Sequence, residues 1–88
     1  MVERVLTVRN KLGLHARPAA VLVQTTAKFR CAVKVWKEDM EVNGKSIMGL
    51  MMLAAECGSK LKFLFDGGDE DKAAKAVEDV FARKFDEE

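Results

Sequence analysis

The chain has 88 residues, 49% of them hydrophobic, with 15 basic against 14 acidic side chains. That is enough for one small core in one domain, residues 1–88, and a formal charge of +1 excludes the basic stripe of a dedicated nucleic-acid binder. Met1–Val8 has no apolar signal-peptide core, and the longest apolar run, Ile47–Ala55, is far too short to span a membrane, so a cytoplasmic protein without membrane insertion is expected.

Val2–Val8 is rich in β-branched residues and reads as a strand, with Arg4, Leu6 and Val8 on one face. Asn10–Leu14 reads as a loop in which Gly13 supplies backbone freedom. From Ala16, the positions Ala19, Ala20, Val23 and Ala27 recur at helical spacing. Pro18 fits only the first turn, where its missing N–H costs nothing, so a helix is predicted from Ala16 to Ala27 or Lys28. Cys31–Lys37 alternates, with Val33 and Val35 on one face and Lys34 and Trp36 on the other. Glu38-Asp39 reads as a turn and Met40–Asn43 as a short returning strand.

Ser46 is a favoured N-cap for a helix over the run Ile47–Ala55, with Gly58 placed to end it. Lys60–Asp66 gives the clearest strand, with Leu61, Phe63 and Phe65 on one face. Gly67-Gly68 turns the chain, and Asp69-Glu70-Asp71 puts negative charge at the start of a last helix running from Asp69 to Glu88. Its apolar stripe is Ala73, Val77, Val80 and Phe81; its charged face reads as solvated. Trp36 and Phe29 are expected to pack in the core or across strands. The order βαββαβα predicts an α+β open-faced sandwich, a four-stranded antiparallel sheet with three helices on one face. Cys31 and Cys57 form no CxxC pair and have no second histidine to complete a zinc set, so no metal is assigned. Two free, mostly buried thiols are expected rather than a disulfide, in keeping with a reducing cytosol.

The chemistry gathers at His15, the only histidine, directly before a predicted helix start. Backbone N–H groups at a helix start lack intrahelical partners and favour anions. Arg17, on the same first turn, presents a fork of donors suited to phosphate oxygens. Neutral imidazole is nucleophilic near pH 7, so the setting suits a phosphohistidine that forms and leaves readily. The bland alternative is a surface or capping histidine. Gly44-Lys45-Ser46 does not make a nucleotide-binding P-loop, because the required glycine five residues earlier is Asp39. Met48 and Met51 lie three apart on one helical face; flexible thioethers left exposed there suit a surface that docks several partners.

Gly13-Leu14-His15-Ala16-Arg17-Pro18-Ala19 resembles the active-centre signature of the histidine-containing phosphocarrier (HPr) family of the bacterial phosphoenolpyruvate-dependent phosphotransferase system. Lys45–Leu53 is similar to the same family's regulatory-serine segment, and the resemblance spans essentially the whole chain. It implies a phosphoryl carrier rather than an enzyme, with no cofactor. His15 would accept phosphate on Nδ1 from phosphorylated Enzyme I and pass it to a histidine on an Enzyme IIA domain. Arg17 would stabilise the phosphoryl group. Ala20, Ile47, Met48 and Met51 would form the patch that meets both partners. Met52 departs from the polar residue common in the family. Ser46 is read both as a helix cap and as a target of the family's serine kinase, HPr kinase/phosphorylase. A monomer is expected. The alternatives are a carrier of the nitrogen-related branch, or a regulatory module that binds a transcriptional regulator through phospho-Ser46. A ferredoxin-like metal or small-ligand domain shares the element order but lacks a ligand cluster.

Overall fold

The computed structural model describes residues 1–87. Their order is β1 (Val2–Thr7), α1 (Ala16–Thr26), β2 (Ala32–Lys37), β3 (Met40–Asn43), α2 (Ile47–Met52), β4 (Lys60–Asp66) and α3 (Glu70–Ala82), ending in a one-turn helix at Lys84–Asp86. The strands form one antiparallel sheet in the order β1-β4-β2-β3. Strand β4 therefore sits inside: its Phe63 faces Arg4 on one side and Val35 on the other. The expected open-faced sandwich is the architecture observed.

Alternation sorts the sheet's two faces. Val33, Val35, Leu61, Phe63 and Phe65 point to the helices and are buried, against Ala19 and Leu22 of α1, Leu50 of α2, and Ala73, Val77, Val80 and Phe81 of α3. Phe63 stacks on Phe65 and meets Phe81 edge-on, with ring centroids 5.8 and 5.5 Å apart. Burying each such ring contributes about 2–3 kcal/mol. On the open face, Trp36 is half-buried, with Lys62 Nζ 5.3 Å from its ring centroid, which fulfils the cross-strand packing expected of it. Arg4 reaches across to Glu78 of α3 at 3.3 Å, so the charged member of the Arg4–Leu6–Val8 face sits at its rim.

Three expectations need correction. Helix α2 stops at Met52, with Leu53 as its C-cap, short of the predicted Ala55. Ala54 then takes φ +49°, and Gly58 belongs to the turn before β4, where its N–H donates to Val8 O at 2.7 Å. The last helix ends at Ala82, well before Glu88, which lies outside the described residues. Both cysteines are free as expected, but only Cys31 is buried, and Cys57 is exposed in the turn before β4. Burial, with Asp69 alongside, pushes the Cys31 thiol up.

Asp69 and Glu70 bind loops as well as starting α3. The Asp69 carboxylate accepts from the N–H groups of Arg30 and Cys31 at 2.8 and 3.0 Å, and the Arg30 bond is the main reason its pKa falls. Glu70 accepts from Gly67 N–H at 2.9 Å, which lowers its pKa in the same way.

Candidate functional site

Gly13 fixes where His15 goes. It holds φ +76°, and a Cβ there would lie 2.5 Å from the carbonyl oxygen of Ala55. Only glycine lets the loop come this close to the segment after α2. Leu14 N–H then donates to Ala55 O at 2.8 Å, and Leu14 is buried. The next residue, His15, is the N-cap of α1 in extended conformation, and its carbonyl receives Ala19 N–H at 3.0 Å. The N–H groups of Ala16 and Arg17 have no hydrogen-bond partner among the described residues, and Pro18 has none to offer. An anion beside His15 would meet those two amides and the positive end of an eleven-residue helix.

The His15 side chain is 39% exposed. It lines a 380 Å³ cleft with Leu12, Leu14, Met51, Ala54, Ala55 and Glu56. Arg17 is exposed and lines an adjoining 520 Å³ cleft that includes Lys11, Leu12, Phe85 and Glu87. The structure thus brings His15 and Met51 into one cleft and puts Arg17 in the next. Ala20, half-buried on α1, and Ile47 and Met48, exposed on α2, line neither. Met48 and Met52 are 76% and 66% exposed, so neither belongs to the core. Ser46 Oγ accepts from Gly49 N–H at 3.0 Å and caps α2 as expected.

Three neighbours of His15 were not singled out from sequence. Leu12 is 76% exposed and borders both clefts. Asn10, fully buried, sends its Nδ2 to Gly13 O at 2.6 Å and to Glu87 Oε1 at 2.9 Å. Glu87 Oε2 lies 3.3 Å from His15 Nε2. Asn10 had only its loop position to mark it, and Glu87 reads in the sequence as the end of a solvated helix. Among the described residues, no group of three His, Cys, Asp or Glu is placed to hold a metal ion.

The fold is an open-faced sandwich with a half-exposed histidine at a helix start, an arginine on the same turn and two adjoining clefts beside them. Residues 2–83 match the family model of the PTS HPr component phosphorylation site. The chain is 48% identical over 88 residues to phosphocarrier protein HPr of Xylella fastidiosa, covering all of this chain and 99% of that one. It superposes on the crystal structure of HPr-C-His from Thermoanaerobacter tengcongensis with a TM-score of 0.95 at 46% identity, covering 100% and 99% of the two chains. A crystal structure of Crh from Bacillus subtilis, reported as a dimer with a swapping domain, matches at 39% identity and a TM-score of 0.73, covering 100% and 98%. The chain belongs to the HPr family. It is a phosphoryl carrier of the phosphotransferase system, not an enzyme.

Proposed function

We propose that His15 is the residue that carries the phosphoryl group, taking it on Nδ1 from phosphorylated Enzyme I and giving it to an Enzyme IIA domain, in the cytoplasm, as a monomer built from one unit over residues 1–88. The observation that carries this reading is the placement of the lone imidazole at the start of α1. Two unpartnered amides and the helix dipole there receive the phosphoryl oxygens. Arg17 supplies a charge-assisted fork from the same turn. No described helix is long and apolar enough to cross a membrane. Ala20, Ile47, Met48 and Met51, with Leu12 beside the site, form the surface on which the two partners dock in turn. The exposure of Ile47, Met48 and Met51 supports this, since flexible thioethers adapt to unlike surfaces.

The test is incubation with Enzyme I and phosphoenolpyruvate. An acid-labile, base-stable phosphate should appear on the peptide that holds His15. Labelling of His15→Ala to the same extent overturns the reading.

Ser46 is the control point in this account. A kinase that phosphorylates Oγ adds about −1.5 to −2 charge beside Ile47 and Met48 and so opposes docking of Enzyme I. A second use of phospho-Ser46 is binding a transcriptional regulator, a reading supported by the likeness to Crh, which is described as a catabolite repression protein. A mass increase on treatment with HPr kinase/phosphorylase, absent in Ser46→Ala, is expected. No increase in the wild type removes both uses. Elution as a dimer at micromolar concentration would overturn the monomer.

A further inference from the structure

After α3 the chain reverses through Lys84, Phe85 and Asp86, all left-handed, with φ of +54°, +56° and +62°. None is glycine, so the turn is strained and needs tertiary support. Phe85 provides it: the ring is buried, with its centroid 4.8 Å from that of Phe81. Glu87 N–H closes the turn on Lys84 O at 2.9 Å.

The result is a carboxylate that is held by Asn10 and lies against His15. The Glu87 side chain is only 17% exposed. Its Oε1 accepts from Asn10 Nδ2 at 2.9 Å, and its Oε2 lies 3.3 Å from His15 Nε2. The Asn10 orientation is set by its surroundings, because a flipped amide would turn its oxygen toward Gly13 O and Glu87 Oε1, both acceptors. His15 Nε2 is sealed from solvent and makes no hydrogen bond among the described residues. The Glu87 carboxylate faces it at 3.3 Å.

We propose that Glu87 is a positioning residue that makes Nδ1, and not Nε2, the phosphoryl acceptor of His15. This rests on the reading of His15 as the carrier residue. A negative carboxylate 3.3 Å from Nε2 has no proton to give and favours the tautomer with the ring proton on Nε2, which leaves the lone pair on Nδ1. As the P–Nδ1 bond forms, the donor's bond to phosphorus breaks and its leaving atom keeps the electron pair. The ring retains Nε2–H and becomes cationic, facing the carboxylate. Glu87 also covers Nε2, so an incoming phosphorus atom reaches only the other nitrogen.

Phosphoramidate tests this without a protein partner. It phosphorylates imidazole with loss of ammonia, and ³¹P NMR separates the two phosphohistidine isomers. The wild type should yield the Nδ1 isomer. In Glu87→Ala and in Glu87→Gln the share of the Nε2 isomer should rise by about fivefold or more. Gln has the size of Glu but no negative charge, so its effect reports the carboxylate rather than packing. If the turn comes loose in Glu87→Ala, as the backbone amide signals of Phe81 and Phe85 would show, Glu87→Gln decides alone. An unchanged isomer ratio in Glu87→Gln overturns the proposal, and so does a change confined to Glu87→Ala. A parallel arm with Enzyme I and phosphoenolpyruvate separates the two readings. Failure to label His15 there sinks the carrier residue, while the phosphoramidate ratio still judges Glu87.

Discussion

Replacing Gly13 by alanine should cost the protein about 2 kcal/mol and displace the active loop. The left-handed φ of +76° is penalised by about 1–2 kcal/mol for alanine. The new Cβ would stand 2.5 Å from Ala55 O and 3.0 Å from Glu56 Cα. Both are backbone atoms, so no side chain can swing away to make room. The loop must lift, and the 2.8 Å bond from Leu14 N–H to Ala55 O is lost with it, at about 1 kcal/mol. Reduced freedom of the unfolded chain returns about 0.5 kcal/mol. A net loss of about 2 kcal/mol lowers the thermal midpoint of an 88-residue chain by about 10 °C. Circular dichroism through thermal and urea unfolding reads this directly. His15 rides on the same loop, so phosphoryl uptake from Enzyme I, measured where the variant is still folded, should fall about tenfold or more. A variant within about 0.5 kcal/mol of the wild type would refute the claim that close approach to Ala55 places His15.

Arg17→Ala should leave stability within about 0.5 kcal/mol, because Arg17 is exposed, yet slow phosphoryl transfer about 10- to 100-fold. Stopped-quench kinetics beside a urea melt would separate the two effects. Ser46→Ala loses the cap on Gly49 N–H and about 1 kcal/mol, seen as a lower urea midpoint, while His15 still takes up phosphate. Asp69, with its pKa held below the ordinary 3.8, contributes stability that is present above pH 3.8 and is lost as pH falls through the lowered value. Asp69→Asn should therefore be less stable than wild type at pH 6, with the gap closing toward pH 2 in acid-titrated urea melts. A gap that stays constant across that range would show that the charge is irrelevant.

The sheet and its core face were legible because β4 alternates cleanly and α1 has a proline at its start and regular apolar spacing. The place of His15 and Arg17 at the start of α1 was legible for a related reason: a lone histidine before a helix start is a local feature. The C-terminal end was not. Phe81 and Phe85 stand four apart, the spacing of a continuing helix, and no glycine marks a stop. The chain reverses because Phe85 is buried against Phe81, a tertiary gain that outweighs three left-handed residues. Glu87 therefore reached the site by a route no periodicity carries. The early end of α2 has a similar origin, since Ala54 takes a positive φ without being glycine while Ala55 O receives Leu14 N–H. Cys57 was misjudged because the tendency of free cysteine to be buried is an average, and a turn before a strand has little interior to offer.

A carrier must give as well as take, and one transfer experiment tests that directly. The chain is loaded from labelled phosphoenolpyruvate through Enzyme I, separated from it, and mixed with an Enzyme IIA domain. Label should leave the His15 peptide and appear on the Enzyme IIA domain, and His15→Ala should never load. Label that stays on the chain, or that loads and moves as well in His15→Ala, would contradict the account.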